Sequence, residues 1–334
     1  MVDTPLLKLE NISKRFGDKK PSIVSHYLQK IHLAKAPQVT AAVNKVNLNI
    51  FKGEVVGLVG ESGCGKSTLG RIAAGILQPS DGVVSIEGKP VASMSRQEIS
   101  AAHLKIQMIF QDPYASLNPR LRVTDIVGES PYIHDLVSKK NLDAYVSEQL
   151  ERAGLSATLR NRFPHQFSGG QRQRIGIARA LAVQPEMLVC DEAVAALDVS
   201  IQAQILNLFM DLREQLGLTY LFISHDLSVV EHLSDRVVIM YLGQIIESAP
   251  VQEIFQHANH PYTQALLAEV PKMNDRKRIF ASLKGEMPSP LKPPSGCHFH
   301  PRCPHAMERC RVEAPKFKEI AIHHMSACHL NDQP

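Results

Sequence analysis

No apolar run in the sequence reaches the ~18 residues needed to span a bilayer, because Arg179, Pro185 and Asp191 interrupt the longest candidates. The chain is therefore not expected to cross a membrane itself. Its opening, MVDTPLLKLENISKRF, lacks the basic start, apolar stretch and cleavage site of a secretory leader, which predicts a cytosolic location. A surplus of charge is missing too: the formal net charge of +4 is too small to argue for a nucleic acid or any other polyanion as partner. Internal repeats, low-complexity tracts and sustained heptads are absent, which excludes a long coiled-coil insertion.

What is present suits a globular protein. With 334 residues, 44% apolar and 21% charged, the chain can bury a sizeable core as one large α/β domain with an appendage, or as two medium domains. Val46, Leu48 and Ile50 alternate with Asn47 and Asn49, and Val84 and Ile86 repeat the pattern, which predicts half-buried antiparallel strands. Residues 55–59, 106–110, 187–190, 220–223 and 237–240 are instead short continuous apolar runs, several entering polar loops. Such runs suit a parallel sheet covered by helices, whose ligands bind at the strand ends. Between about 112 and 165 the spacing of Leu142, Tyr145, Val146, Gln149 and Leu150 predicts an inserted helical subdomain. Residues 18–41 read as an unusually long connection, a loop or short helix of undefined role. After about residue 250, prolines, histidines and four of the six cysteines accumulate, which predicts a separate loop-rich unit in need of a staple.

The chemistry starts at Gly60-Glu-Ser-Gly-Cys-Gly-Lys-Ser67, which matches G-x-x-x-x-G-K-[ST] between an apolar strand and a helical run. Its glycines let backbone N–H groups turn inward as an anion nest, and the following helix N-terminus adds partial positive charge. Gly60, Ser62, Gly63, Cys64, Gly65 and Thr68 are assigned to this cradle for ATP phosphates. Lys66 supplies a point charge for the β- and γ-phosphates, and the Ser67 hydroxyl is placed on Mg²⁺. The run Met187-Leu-Val-Cys-Asp191-Glu192 ends in two carboxylates: Asp191 would hold Mg²⁺ through its waters, and Glu192 would take the proton of the attacking water. Gln111 and His225 end two further strands. Gln111 would reach Mg²⁺ and the attacking water, and His225 the γ-phosphate.

About 100 residues after the P-loop lies Phe167-Ser-Gly-Gly-Gln-Arg-Gln-Arg174. This stretch resembles the L-S-G-G-Q signature of ATP-binding cassette ATPases, with Phe167 in the leucine position. Together with the motifs around Lys66, Gln111, Asp191-Glu192, Ala195-Ala-Leu-Asp198 and His225, the resemblance covers roughly residues 5–250. It implies an α/β P-loop cassette: a mixed sheet core, an antiparallel β subdomain and the inserted helical subdomain. It also implies that two cassettes pack head to tail, so that Ser168, Gly169, Gly170, Gln171 and Asp198 of one face the nucleotide on the P-loop of the other. Phe16 matches the aromatic that stacks on adenine. Two positions depart from the family, Ala193 where proline is usual and Ala195 where serine is usual, and the second removes a hydroxyl facing the opposite site.

Beyond the cassette, His260-Pro-Tyr-Thr-Gln-Ala-Leu-Leu267, Gly285-Glu-Met-Pro-Ser-Pro-Leu291 and Gly296-Cys-His-Phe-His-Pro-Arg-Cys303 resemble the C-terminal extension of dipeptide/oligopeptide importer ATPases. The division implied is a cassette over 1–250 and an extension over 251–334. The partners implied are a second, related ATPase subunit, two transmembrane permeases contacted near residues 123–133, and indirectly an extracytoplasmic solute-binding protein. The location implied is the cytoplasmic face of the membrane. Nickel or oligosaccharide uptake fits the same type of ATPase, and a soluble cassette ATPase of DNA repair or translation is the alternative class. Cys297, Cys303, Cys310 and Cys328 are spaced C-x5-C-x6-C-x17-C, a set of thiolates that suits Zn²⁺ or an iron-sulfur cluster. The C-x2-C pairs of zinc ribbons are missing, and some importer ATPases of this type carry a 4Fe-4S cluster on similar cysteines, which is the expectation here. Cys64 and Cys190 read as packing residues, although Cys64 also belongs to the phosphate loop.

Overall fold

The computed structural model describes residues 4–17, 39–269 and 285–332. Most of the 18–41 connection therefore lies outside the described residues, which resume just before the second strand.

Two sheets organise the chain. The smaller is antiparallel, in the order β2-β1-β4-β5, from β1 (Leu7–Phe16), β2 (Thr40–Ile50), β4 (Asp81–Ile86) and β5 (Lys89–Pro90). Its alternation is the one predicted: Val46, Leu48 and Ile50 are buried while Asn47 and Asn49 face solvent. The larger sheet has eight strands in the order β11-β12-β10-β9-β3-β8-β7-β6. Five of them, β3 (Val55–Val59), β6 (Ile106–Ile109), β7 (Met187–Asp191), β8 (Thr219–Ser224) and β9 (Arg236–Tyr241), pair in parallel. Strands β3, β7 and β8 are buried along their whole length, as unbroken apolar runs require when helices cover both faces.

Ten α-helices and four short 3₁₀ helices complete the described chain. α1 (Lys66–Ala73) follows β3 and lies so close to the sheet that a Cβ on Gly70 would stand 2.5 Å from the Ile223 side chain. α2 (Arg96–Lys105) leads into β6, and α3 (Val123–Ile133), α4 (Leu142–Arg152) and α5 (Gly169–Leu181) form the helical subdomain. Val123, Val127, Val146, Leu150 and Ile175 are buried together there, on the stripe that the three- and four-residue spacing outlines. α6 (Val199–Leu216) and α7 (Leu227–Leu233) connect the strands β7, β8 and β9.

The C-terminal residues depart from expectation. They do not stand apart as a separate unit. After β10 (Gln244–Pro250) come α8 (Val251–His257), α9 (Pro261–Glu269), α10 (Glu308–Val312), β11 (Lys318–Ala321) and β12 (His324–Ser326). β12 pairs antiparallel with β10, Glu247 opposite Ser326, and so continues the sheet of the cassette. A shared core adds to this: the rings of Tyr241, Tyr262 and Phe299 meet with centroids 4.7–5.4 Å apart. Burying one such side chain contributes about 1.5–3 kcal/mol, so the trio alone is a substantial anchor. The polar counterpart is the buried Glu247 carboxylate, 2.7 Å from His324 Nε2, which also accepts the backbone N–H groups of Asn259 and His260. Strand addition and a common core thus hold this segment to the cassette.

Candidate active site

The loop between β3 and α1 is shaped by what lies beneath it. A Cβ on Gly65, at φ 109°, would come within 2.1 Å of the Ala42 carbonyl, and one on Gly60 within 2.2 Å of the Met240 carbonyl. Only glycine allows that approach. The Gly243 N–H donates to the Cys64 carbonyl at 2.8 Å and holds the loop from the β9–β10 turn. Lys66 is almost fully buried and donates from Nζ to the carbonyls of Gly60 at 2.7 Å and Glu61 at 3.0 Å, so its ammonium arches over the loop. Cys64 is buried and burial pushes its thiol up, which suits a packing residue whose backbone serves the loop. Ser62 and Gly63 are exposed, and Thr68 is half-buried one residue beyond Ser67.

Four other elements bring their polar ends to the same edge. The Ser67 hydroxyl donates to Asp191 Oδ1 at 2.7 Å, so two of the three side chains assigned to Mg²⁺ already meet, while the third, Gln111, donates to Glu192 instead. Asp191 is buried, and burial raises its pKa against the opposing pull of the Ser67 hydroxyl, Arg71 and Lys66. A cation arriving there would meet a carboxylate that burial has left under-solvated. Glu192 follows in a left-handed conformation, φ 46°, which costs of order 1–3 kcal/mol for a residue with a side chain. Its N–H donates to the Ile223 carbonyl at 3.0 Å, and its carboxylate accepts from Gln111 Nε2 and lies 3.4 Å from His225 Nδ1. Lys66, Ser67, Gln111, Asp191, Glu192 and His225, drawn from the phosphate loop and three further strand ends, thus form one constellation. Arg71 is an addition that motif reading did not supply: it sits one helical turn after Ser67 and acts on Asp191 only through the fold.

The remaining residues lie elsewhere. Phe16 ends β1 with 44% of its surface exposed and Lys14 Nζ 5.6 Å from its ring centroid, so it is not a core residue. Ser168 is the N-cap of α5: its hydroxyl accepts the Gln171 N–H at 3.3 Å and the Gln171 side chain returns a bond to the Ser168 N–H. These described bonds stay within Ser168–Gln171 and do not join the phosphate loop. A Cβ on Gly169 would meet only Leu197, at an ordinary 3.9 Å, whereas one on Gly170 would stand 2.5 Å from Ile201 Cγ2, so the second glycine also serves packing. Asp198 is exposed at the N-cap of α6, Ala195 is exposed three residues before it, and Ala193 is buried.

The cysteine expectation fares differently. Burial raises the thiols of Cys297, Cys303 and Cys328, the last to about 11, and the neighbouring cysteines raise each of them further. The charges that raise these three thiols come from one another and from Cys310, and the donor chemistry of the four suits thiolate ligation. Yet among the described residues no group of three or more His, Cys, Asp or Glu side chains is arranged to hold a metal ion, so the 4Fe-4S assignment gains no support from the geometry. Cys190 is fully buried and burial drives its thiol pKa upward, as expected for a packing residue.

Comparison with known proteins adds independent information. A family profile described as "ABC transporter" matches residues 43–195, and one described as "Oligopeptide/dipeptide transporter, C-terminal region" matches 246–310. The oligopeptide transport ATP-binding protein AppF of Bacillus subtilis (strain 168) is 50% identical over 86% of this chain and 89% of its own length. From the same organism, the putative oligopeptide transport ATP-binding protein YkfD is 49% identical over 90% of this chain and 93% of its own. Among solved structures, the ATP-binding cassette MJ0796, a dimer in a post-hydrolysis state bound to ADP and Pi, superposes with a TM-score of 0.62 at 29% identity. That match covers 73% of this chain and 98% of the other. Among the described residues no helix is long and apolar enough to cross a membrane.

Proposed function

The chain belongs to the ABC transporter family of ATPases, and from that membership we propose that it is the ATP-hydrolysing subunit of a peptide importer in which each side chain of the constellation has a defined task. The observation that carries the proposal is the convergence of Lys66, Ser67, Asp191, Glu192, Gln111 and His225 at one sheet edge, in a chain whose residues 246–310 match the oligopeptide/dipeptide transporter C-terminal region.

The phosphates of ATP enter the loop of residues 60–68, where backbone N–H groups and Lys66 neutralise charge, while Phe16 offers its exposed ring to adenine. Ser67 and Asp191 would hold Mg²⁺, which when bound balances charge on the β- and γ-phosphates. Glu192 orients the attacking water and takes its proton, held by Gln111 on one side and His225 on the other. Ser168, Gly169, Gly170, Gln171 and Asp198 complete the site of a second ATPase subunit, a related chain, rather than their own. Two permeases and, through them, an extracytoplasmic binding protein couple this cycle to peptide uptake at the cytoplasmic face of the membrane.

Glu192→Gln tests the assignment. In the assembled transporter it should retain ATP binding and lower turnover by about 10²-fold or more, since it removes the base and leaves the cradle intact. Undiminished hydrolysis in that variant refutes the role of Glu192. We further assign Cys297, Cys303, Cys310 and Cys328 to a 4Fe-4S cluster, on the chemistry of the four-thiol donor set alone. Protein purified without air should then be brown and contain iron and sulfide. A colourless, zinc-loaded preparation removes the cluster in favour of Zn²⁺.

A further inference from the structure

The phosphate loop is gripped from outside the nucleotide constellation by the C-terminal extension, through a residue that the P-loop motif leaves unspecified. That residue is Glu61. Its backbone N–H donates to Tyr262 Oη at 2.9 Å, and its two carboxylate oxygens accept from Arg302 Nη1 at 2.8 and 3.1 Å. Its carbonyl accepts from Lys66 Nζ at 3.0 Å. Three groups of one residue are therefore committed, two of them to the extension and one to the lysine of the cradle. Tyr262 comes from α9, and Arg302 from the turn between Cys297 and Cys303, whose Phe299 packs edge-on against Tyr241 and Tyr262. The Arg302 side chain is only 5% exposed and that of Glu61 26%, so water screens the pair less than it would at the surface.

We propose that Arg302 and Tyr262 are positioning residues of the ATP site, and that the extension keeps the Glu61 carboxylate from competing with ATP phosphates for Lys66. An unpaired carboxylate on the phosphate loop, whose own carbonyl already touches the ammonium, would draw Lys66 toward itself and repel an incoming polyanion. Arg302 neutralises that charge. Tyr262 fixes the backbone of the same residue, so its carbonyl remains where Lys66 Nζ meets it. The C-terminal extension thereby becomes part of the nucleotide site, a role distinct from any metal chemistry of its cysteines. The inference rests on the reading of residues 60–67 as the ATP cradle.

The test is ATPase kinetics of the assembled transporter, with binding of a non-hydrolysable ATP analogue to the purified subunit as a second readout. Arg302→Gln should raise KM for ATP and the analogue Kd by about fivefold or more with kcat within about twofold, because binding rather than chemistry is impaired. The double variant E61Q/R302Q should return both constants to within about twofold of the parent, since the competing charge is gone. A merely structural ion pair would show the same recovery in stability, but would leave KM and Kd of the folded Arg302→Gln subunit at the parent's values. An unchanged KM in Arg302→Gln, or no recovery in the double variant, overturns the proposal. Should Arg302→Gln fail to assemble, Tyr262→Phe decides: it keeps the packed ring, loses one acceptor, and should raise KM about threefold, whereas a parental KM overturns the proposal. Lys66→Ala is the control on the underlying reading. If it binds the analogue as well as the parent, the cradle assignment itself has failed, whatever the Arg302 variants do.

Discussion

Glu192 occupies a backbone conformation that most side chains avoid, and it does so at the tip of a fully buried strand. The bond from its N–H to the Ile223 carbonyl and the contacts of its carboxylate with Gln111 and His225 hold it there. Strain at this residue fits a group whose carboxylate must face a loop rather than continue the strand. Glycine choices can be read with the same resolution. Gly169 and Gly170 stand next to each other in sequence, yet only Gly170 has a neighbour within clash distance, Ile201. Gly170→Ala should therefore destabilise the subunit by about 1–3 kcal/mol through overpacking, while Gly169→Ala leaves thermal stability unchanged or slightly higher. Melting temperatures of the two variants check this, and equal losses would show that Ile201 yields without cost.

At the scale of elements, the α5 N-terminus illustrates two demands on one sequence. Ser168 and Gln171 cap the helix reciprocally, which satisfies donors that would otherwise be orphaned, and the same end carries the helix's partial positive charge toward solvent. The joint between β10 and β12 is the second instructive element. Glu247 is completely buried and serves His324 and two backbone N–H groups at once. Glu247→Ala strips all three of a partner and should cost about 3–5 kcal/mol, read from the denaturant midpoint of the purified subunit. His260, just before α9, adds a dependence on pH. Burial lowers its pKa to about 3 from an ordinary value of 6.5, so between those values the unfolded chain binds a proton that the folded one refuses. Its contribution is fully present above pH 6.5 and is lost progressively as pH falls toward 3. Stability should thus decline on acidification by up to about 1.4 kcal/mol per pH unit from this residue, and His260→Gln should flatten that slope in unfolding curves taken at pH 7.5, 6 and 5.

For the whole molecule, the cassette presents Ser168–Gln171 and the phosphate loop as separate surfaces, which is the arrangement a head-to-tail pair requires. ATP with Glu192→Gln should drive the subunit, together with the second ATPase subunit proposed above, into a complex of two ATPases on size exclusion, and Ser168→Arg in both chains should abolish that complex. Retention of the ATP-dependent complex in the arginine variants would move the second half of the site away from Ser168.

How much of this was legible beforehand follows from the range of the interactions. Residues 60–67 and 167–174 announce themselves because phosphate loops and capped helix starts are local structures, written in consecutive residues. The strands β2, β3, β7 and β8 are legible for the same reason, since their burial follows alternation or an unbroken apolar run. The chain by itself thus determined the phosphate cradle, the sheet's apolar strands and the family to which both belong. Only the tertiary structure decided that the C-terminal residues join the sheet rather than form a unit of their own, and that Arg302 meets Glu61 across 241 positions of sequence. Pairing at that distance depends on which surfaces pack together, and no local pattern of residues encodes it.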